Sequence, residues 1–451
     1  MARFRRKSCF ALIALALAVF IITVILKSLS PEDNNFAGQF TLRLIPPPRE
    51  MEKDTMVVVS AKPVQMMQAE KPDSLDNKMQ DFPEPNYNVQ DFPKPNYNVH
   101  AFYYVWYGNP QFDGKYVHWD HQLLPHWDPK VASGYPTGQH QPPNDIGANF
   151  YPALGPYSSR DPSVLEEHMR QLRTAAVGVL AVSWYPRSMN DDNGEEIDNL
   201  MPLILDAADK YQLKVVFHIE PYKGRDDANM RENIKYIVER YGNHPAFYRY
   251  KTSTGKFLPL YYIYDSYLQT PDVWAELLKP NGISTIRDTP YDGIFIGLLV
   301  EEKHKKDIKT SGFDGLYTYF ATNGFTYGSS NHNWRSIKTF CDYNDLVFIP
   351  SIGPGYIDTS IRPWNAQNTR NRINGKYYEN AFKAAVEARP QMISITSFNE
   401  WHEGTQIEKA VPKTWGKTVY LDYLPHKPTV YLELTQKWAN KFSEEQKKWL
   451  E

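Results

Sequence analysis

Cysteine is scarce in this chain, and N-glycosylation sites are absent. Only Cys9 and Cys341 occur among 451 residues, and Cys9 lies in an apolar N-terminal segment, so no internal disulfide is expected. No Asn-x-Ser/Thr site is present, so no N-glycan is expected either. The 50 Lys and Arg residues nearly balance the 52 Asp and Glu residues, without a basic stripe. This charge distribution argues against a nucleic-acid partner.

Several motifs of other enzyme classes are also missing. No Gly-rich phosphate turn follows the first predicted strand, which argues against a nucleotide-binding fold. The Gly-x-Ser-x-Gly elbow of many hydrolases does not occur. Many lumenal glycosyltransferases carry an Asp-x-Asp metal motif, and this chain has none. A glycosyltransferase remains an alternative, as does a non-catalytic glycan-binding lectin.

Metal-binding patterns are weak. His402 and Glu403 lack the spacing of a zinc helix, because Gln406 stands where the second histidine would be. A Trp-rich loop over residues 118–128 contains three histidines and two aspartates, but not at the spacing of a familiar zinc site. We therefore expect neither a metal nor another cofactor.

The N-terminal segment has the pattern of a membrane anchor. Four basic residues within residues 1–7 precede an uncharged run from Cys9 to Leu26. Its 18 residues are just enough to cross a bilayer. The basic flank predicts a cytoplasmic tail over residues 1–7, a transmembrane signal-anchor over 8–27 and a lumenal remainder. A cleaved signal peptide is the alternative, although no clear small-x-small cleavage site follows the run.

Residues 28–98 have the composition of a flexible lumenal stem, with Pro, Met, Lys and Asp and no sustained apolar period. The decapeptide over residues 81–90 is repeated almost unchanged over residues 91–100. The two copies differ only at Glu84 against Lys94 and at Gln90 against His100. The X-Pro pairs favour extended backbone, and two copies are too few for a solenoid. We interpret the repeat as a spacer whose second copy runs into the folded domain.

From residue 99 to 451 the chain alternates between predicted strands and helices. Many of the strands are nearly continuous apolar runs, as buried parallel strands are. The eight predicted strands are Ala101–Tyr107, Gly178–Tyr185, Leu213–Glu220, Leu258–Asp265, Gly293–Val300, Gly315–Phe320, Leu346–Gly353 and Met392–Glu400. Eight such units predict an α/β fold, a single TIM-type (β/α)8 barrel. An open doubly wound sheet is the alternative.

The predicted helices lie between these strands. They are Pro162–Ala176, Leu200–Tyr211, Asn229–Tyr241, Pro271–Leu278, Trp334–Cys341 and Tyr377–Ala388. Asp161 and Pro162 form a plausible start for the first of them. The short polar link over residues 300–312 gives the weakest helix signal.

The C-terminal ends of the predicted strands are rich in polar and aromatic residues. In a barrel of this type these ends form the active face. A strand in the core has no structural need to end in Glu, Asp or His, because a buried carboxylate is costly unless it is paired. Each of the aromatic residues could equally serve packing. The predicted substrate-binding residues are Tyr104, Trp106, Trp184, Tyr185, His218, Glu220, Tyr222, Asp265, Tyr317, Tyr356, Asp358, Arg362, Trp364, Asn399 and Trp401.

Two glutamates follow the eighth predicted strand. Glu400 and Glu403 lie three residues apart in a segment that is closed by Gly404. Glycoside hydrolysis requires two carboxyl groups, one that protonates the departing sugar oxygen and one that acts as base or nucleophile. Two solvated loop glutamates would give the same spacing. We predict that Glu400 and Glu403 are the catalytic pair.

Five long motifs resemble glycoside hydrolase family 99, which contains endo-acting α-1,2-mannosidases and an endomannosidase-like relative. These motifs are Phe102–Gly108, Gly178–Pro186, Phe217–Tyr222, Gly353–Trp364 and Ser394–Lys409. The resemblance extends from about residue 100 to the C-terminus and includes the anchor layout. It implies a (β/α)8 barrel held in the Golgi as a single-pass type II membrane protein, with the catalytic domain in the lumen.

The implied substrates are glucosylated high-mannose N-glycans on glycoproteins, from which Glc-α-1,3-Man or larger glucosylated fragments are released. The family retains anomeric configuration and needs no metal. Its catalytic pair corresponds to Glu400 and Glu403, and the reaction is thought to pass through a 1,2-anhydro sugar. Glu400 would then deprotonate the 2-hydroxyl, and Glu403 would protonate the leaving oxygen. A covalent route remains open on the sequence alone.

Overall fold

The structure, a computed structural model, describes residues 92–191 and 194–450. The predicted anchor over residues 8–27 and the stem up to residue 91 lie outside these ranges. Among the described helices, none is both long enough and apolar enough to cross a membrane.

Eight parallel strands form a ring. They are β1 (Asn96–Tyr103), β2 (Val177–Trp184), β3 (Lys214–Ile219), β4 (Phe257–Ile263), β5 (Ile294–Leu298), β6 (Gly315–Tyr317), β7 (Val347–Ile349 with Ser351–Ile352) and β8 (Ile393–Ile395). Each strand pairs with the next, and β8 also pairs with β1. In β7 the first part pairs with β6 and the second with β8, on either side of Pro350. This ring matches the predicted barrel and excludes the open sheet, because β1 has a parallel neighbour on both sides.

Ten helices and several short strands surround the ring in the described ranges. The helices are α1 (Pro110–Asp113), α2 (Pro129–Ala132), α3 (Pro162–Thr174), α4 (Met201–Lys210), α5 (Asp227–Tyr241), α6 (Pro271–Leu278), α7 (His304–Ser311), α8 (Trp334–Tyr343), α9 (Lys376–Glu387) and α10 (Val430–Leu450). Single 3₁₀ turns occur at Asp198–Leu200, Ser266–Leu268, Asn331–Asn333, Ala366–Asn368 and Ile373–Gly375. Outside the ring, Arg249–Lys251 pairs with β4, Tyr151–Pro152 with Ala410–Val411, and Thr414–Trp415 with Thr418–Val419.

Local sequence explains where α3 and α7 form. The Asp161 side chain accepts a hydrogen bond from the Ser163 N–H group, and Pro162 occupies the first turn of α3, as predicted. Helix α7 forms within the weakly predicted link, and Gly312 ends it in a left-handed conformation with φ of 87°.

The barrel interior is filled by aromatic and histidine side chains. Phe102, His218, Tyr262 and Tyr317 are fully buried, and their rings lie in mutual contact. The Tyr262 hydroxyl is hydrogen-bonded to His100 Nδ1 at 2.8 Å, so its polar end has a partner. These rings form a layer of aromatic and polar side chains inside the barrel.

The first strand begins earlier than predicted. Strand β1 starts at Asn96, within the second decapeptide copy. The Asn96 N–H group donates to Ala176 O at 3.0 Å, and the Asn96 amide donates to Ala439 O at 3.0 Å. Residues 96–98, which the prediction places in the stem, therefore belong to the folded domain.

Candidate active site

The segment that follows β8 folds back on itself and presents both predicted catalytic glutamates. The Ser397 N–H group donates to Thr405 O, and the Ile407 N–H group donates to Ser397 O, both at 3.0 Å. The Phe398 N–H group donates to Phe102 O at 2.8 Å, which joins the segment to β1. Residues 397–407 therefore form a compact loop at the C-terminal end of the barrel.

Glu400 is held inside this loop and is 4 % exposed. Its N–H group donates to Ser397 Oγ at 2.7 Å, and its Oε1 accepts from the His402 N–H group at 3.0 Å. Burial, together with the charge of Glu403, raises the pKa of Glu400 well above the usual range of a glutamate. The backbone amide opposes this rise, because it stabilises the ionised carboxylate.

Glu403 lies beside a cation. Arg362 Nη1 is 3.8 Å from Glu403 Oε1. Burial raises the pKa of Glu403 to about 7, against the lowering effect of Arg362 and with a further rise from the Asp358 charge. Since the pKa values of both glutamates are raised, the pair retains a proton near neutral pH. One protonated and one ionised carboxyl group is the state that acid–base catalysis requires.

Asp358 organises the side of the site next to Glu403. This fully buried carboxylate accepts hydrogen bonds at Oδ2 from the Tyr356 hydroxyl at 3.0 Å, Arg362 Nη1 at 3.1 Å and Asn365 Nδ2 at 2.9 Å. Its Oδ1 atom makes no hydrogen bond to the described residues. Three predicted residues, Tyr356, Asp358 and Arg362, are thus brought together as one polar group.

Aromatic residues form the neighbouring wall. The Tyr104 ring lies 4.6 Å from the Trp106 ring, and Trp106 stacks on His118 at 4.5 Å. The hydroxyl groups of Tyr104 and Tyr319 are hydrogen-bonded to each other. Burial raises the pKa of Tyr104 well above its usual range, and the charges of Glu220 and Glu400 raise it further. The charges of Glu220 and Glu400 therefore both act on the Tyr104 hydroxyl, which belongs to the aromatic wall.

A second polar group lies at the ends of β3 and β4. His218 Nε2 is 2.9 Å from the Tyr317 hydroxyl, and His218 Nδ1 is 3.4 Å from Glu220 Oε1. Glu220 also accepts from Ser183 Oγ at 2.8 Å. Burial raises the pKa of Asp265 to about 6. These predicted residues bring hydrogen-bonding groups together on the same face of the barrel.

Two of the predicted sugar-binding residues, both tryptophans, make hydrogen bonds within the protein. Trp184 and Trp401 are fully buried. Trp184 Nε1 donates to Asp198 Oδ1 at 2.8 Å, and Trp401 Nε1 donates to Glu408 Oε2 at 3.0 Å. Contact of these two side chains with sugar stays a prediction.

Asn399, Tyr222 and Trp364 are likewise engaged within the protein. Asn399 is fully buried and exchanges two hydrogen bonds with the Tyr104 backbone, at 2.8 and 2.7 Å. The Tyr222 hydroxyl donates to Asn229 Oδ1 at 2.6 Å, and Trp364 Nε1 donates to Leu124 O at 2.9 Å. Tyr185 is half-buried directly after β2. Asn399 therefore joins the loop after β8 to the chain directly after β1, and the contact of these residues with sugar stays a prediction.

Sequence reasoning missed a buried hydrogen-bond network around Glu408, which bonds to the residue directly after Glu400. Glu408 is fully buried and accepts from Trp401 Nε1, from the Tyr157 hydroxyl at 2.9 Å and from His168 Nε2 at 3.2 Å. His168 lies on α3, and its Nδ1 is 2.8 Å from the Tyr103 hydroxyl. No local pattern reveals this network, because Tyr157 and His168 lie more than 200 residues before Glu408 in the sequence.

The three histidines of the Trp-rich loop each contact a different partner. His118 Nε2 is 2.9 Å from Asp191 Oδ2, His121 Nδ1 is 2.7 Å from Gln122 O, and the His126 ring stacks on Trp127 at 3.6 Å. Within residues 92–191 and 194–450, no three His, Cys, Asp or Glu side chains are placed to hold a metal ion.

A parallel barrel that presents two adjacent glutamates of raised pKa among aromatic and polar side chains is the architecture of a glycoside hydrolase. Residues 94–444 match the sequence profile of glycosyl hydrolase family 99, and the chain belongs to this family. The predicted resemblance is thereby confirmed.

Similar proteins agree with this assignment. The chain is 58% identical to the mouse glycoprotein endo-alpha-1,2-mannosidase, over 99% of this chain and 97% of that protein. It is 65% identical to the human glycoprotein endo-alpha-1,2-mannosidase-like protein, over 78% of this chain and 77% of that protein. Among solved structures, the GH99 endo-alpha-mannosidase from Bacteroides thetaiotaomicron is 48% identical, with a TM-score of 0.71 over 78% of this chain and 98% of that one. The chain is a glycoside hydrolase, and the glycosyltransferase and lectin alternatives have no support.

Proposed function

We propose that this chain is an endo-acting α-1,2-mannosidase that trims glucosylated high-mannose N-glycans on glycoproteins. It releases Glc-α-1,3-Man or larger glucosylated fragments with retention of configuration. The observation that carries the proposal is the pair of Glu400 and Glu403 at the C-terminal end of the barrel, whose raised pKa values favour one shared proton. The names of the mouse and Bacteroides relatives support the endo-mannosidase specificity.

The stereochemistry of an α-mannoside favours a neighbouring-group reaction. The leaving oxygen on C1 and the hydroxyl on C2 are both axial and lie trans to each other. In the first step Glu400 removes the O2 proton, O2 attacks C1 from the opposite face, and the C1–oxygen bond breaks. Glu403 donates its proton to the departing oxygen. The products of this step are the shortened glycan and a 1,2-anhydro sugar.

The second step reverses the proton transfers. Glu403, now ionised, takes a proton from water, and the water oxygen attacks C1 and opens the epoxide. Glu400 returns its proton to O2. Two inversions at C1 give overall retention. The His402 amide donates to Glu400 and favours its ionised form, whereas burial and the charge of Glu403 raise the pKa of Glu400, so the assignment of Glu400 as the base rests on the family resemblance.

The test separates the two glutamates by leaving-group dependence. Glu403→Gln removes the proton donor, so turnover of the natural glycan should fall about 10²–10⁴-fold. An activated fluoride of the same glucosyl-mannose should be affected much less in the first step, because fluoride departs without full protonation. Glu400→Gln should fail with both substrates. An activated substrate that lacks the 2-hydroxyl should fail even with the native enzyme.

The released products and any trapped intermediate distinguish endo-cleavage from the other possible reactions. The enzyme should release a glucosylated di- or oligosaccharide, identified by mass spectrometry. Free glucose or mannose would contradict endo-cleavage, and transfer from a nucleotide sugar would favour a glycosyltransferase. A trapped sugar adduct on Glu400 would replace the epoxide with a covalent route. Full activity in both single variants would refute the catalytic pair.

The proposal extends to a location in the Golgi membrane. The uncharged run from Cys9 to Leu26 and its basic flank support a signal-anchor over residues 8–27, with the barrel in the lumen and residues 28–98 largely a spacer. Protease treatment of intact Golgi vesicles should leave the barrel protected. A mature protein that begins after residue 27 would indicate a cleaved signal peptide instead.

A further inference from the structure

Arg372 is a buried cation that the proposed reaction does not use directly. It is 9% exposed and precedes the 3₁₀ turn before α9. Its guanidinium carbon lies 4.4 Å from the ring centroid of Tyr431, 4.6 Å from that of Phe150 and 5.0 Å from that of Tyr423. A buried charge requires compensation, and three aromatic faces at these distances supply it through cation–π contacts.

The same guanidinium holds the chain directly after Glu403. Arg372 Nη2 donates to Gly404 O at 2.9 Å and to Gln406 O at 2.8 Å. The carbonyl of Glu403 accepts from the Ile357 N–H group at 2.8 Å. The carbonyls of residues 403 and 404 are therefore held from two separate segments of the chain.

The turn at Gly404 leaves little freedom for adjustment. Its φ is +60°, and a Cβ atom there would lie 2.6 Å from Ile357 Cγ2 and 2.7 Å from Ile357 O. The backbone is thus packed against Ile357 on one side and bonded to Arg372 through its carbonyl. The Gly404 carbonyl belongs to the peptide between residues 404 and 405, so loss of its bond to Arg372 would free the turn that follows Glu403 and allow the Glu403 backbone and carboxyl group to shift.

We infer that Arg372 is a positioning residue for the proton donor. Through Gly404 it sets the direction from which the Glu403 carboxyl group meets the leaving oxygen. The inference rests on the proposed role of Glu403 as general acid. Proton transfer depends steeply on geometry, so an error of about 1 Å in the donor can cost about 10²-fold in rate.

The experiment compares Arg372→Lys with Arg370→Lys. Lysine keeps the charge but loses the planar guanidinium that packs against three rings, so its ammonium should not be held where Nη2 bonds both carbonyls. Arg370 receives the same substitution two residues away, and its guanidinium donates to carbonyls of Asn323, Gln367 and Thr369. With the natural glycan, Arg372→Lys should lower kcat about 10- to 100-fold with little change in KM. Arg370→Lys should remain near the native value.

The loss of activity on the natural glycan is compared with the loss on the activated fluoride. A general structural defect would lower both activities equally, whereas a misplaced acid lowers mainly the first. Arg372→Lys should lose less than about 3-fold with the activated fluoride, since that substrate needs little protonation. Equal losses on both substrates would overturn the inference, because they indicate fewer active molecules and not a misplaced acid. If Arg372→Lys does not fold, Tyr431→Leu removes one ring of the cage and should show the same pattern more weakly. Equal losses there would also overturn it.

Glu403→Gln is measured in parallel, so that the acid role of Glu403 and the positioning role of Arg372 are tested separately. If Glu403→Gln itself shows no leaving-group dependence, the proposed acid role fails. If Glu403→Gln shows the dependence and Arg372→Lys does not, only the positioning role of Arg372 fails.

Discussion

Glu403 experiences opposing electrostatic influences, and their balance makes its protonation sensitive to pH. Burial favours the neutral form, whereas Arg362 at 3.8 Å favours the ionised form. The outcome is a pKa of about 7, well above the ordinary value of 4.5. A carboxyl group with this pKa is an effective acid under near-neutral conditions.

The raised pKa has a cost in stability that depends on pH. A group with a raised folded-state pKa stabilises the fold fully below its unfolded pKa, and this contribution is lost as pH rises through the folded pKa. For Glu403 the loss falls between about pH 4.5 and 7. Glu403→Gln removes the titration, so its stability relative to the native protein should rise by roughly 3 kcal/mol over this interval. Thermal unfolding at pH 4.5 and 7.5 measures it, and a pH-independent difference would contradict the assignment.

Asp358 provides a second test at the level of single residues. Its charge raises the pKa of Glu403, and it also binds Arg362 at 3.1 Å. Asp358→Asn removes this charge, which lowers the pKa of Glu403. The alkaline limb of the kcat/KM profile should therefore move to lower pH. Tyr356→Phe removes one hydrogen bond to Asp358 without changing any charge, so it should leave this limb in place.

At the level of elements, α3 and the chain after β8 are joined by two side-chain contacts in very different surroundings. His168 and Glu408 are 3.2 Å apart, with side chains 2% and 0% exposed. The neighbouring residues Glu167 and Lys409 are 2.8 Å apart and partly exposed. The first pair also contacts Trp401 through Glu408, so it supports the loop that carries Glu400.

This contrast predicts unequal effects of the same substitution. Glu408→Gln disrupts a buried hydrogen-bonded pair and should reduce the free energy of unfolding by about 3–5 kcal/mol. Glu167→Gln affects a partly solvated pair and should cost less than about 1 kcal/mol. Denaturant unfolding of both variants measures the difference. Similar losses would mean that the buried network does not hold the loop to α3.

The elements of the barrel were predictable, but the support of the site was not. Continuous apolar runs such as that of β2 identify buried strands, and Glu400 and Glu403 are recognisable as polar residues that end such a run. The surroundings of Trp401 were not predictable, because a tryptophan at a strand end can face either the cleft or the core. Arg372 and Glu408 gave no signal, since most of their partners meet them only through the tertiary fold.

At the scale of the whole molecule, the junction between stem and barrel lies within a repeated sequence. The second decapeptide copy supplies Asn96 and Asn98 to β1. Asn98 Nδ2 donates to Gln446 Oε1 on α10 at 2.9 Å, and Arg173 Nη2 donates to Pro93 O at 3.0 Å. The corresponding residues of the first copy, 86 and 88, lie outside the described part of the chain. The C-terminal half of the second copy therefore belongs to the folded domain.

The contacts that residues 93–98 make with the barrel predict where the chain can be shortened. A fragment of residues 92–451 keeps all of β1 and should be soluble and unfold cooperatively. A fragment of residues 99–451 loses the bonds of Asn96 to Ala176 and Ala439, that of Asn98 to Gln446 and that of Arg173 to Pro93. At about 1 kcal/mol for each hydrogen bond, it should be less stable by roughly 4 kcal/mol. Thermal and denaturant unfolding compare the two fragments. Equal stability would show that the second decapeptide copy is only a spacer, whereas aggregation of both would show that the barrel depends on residues before 92.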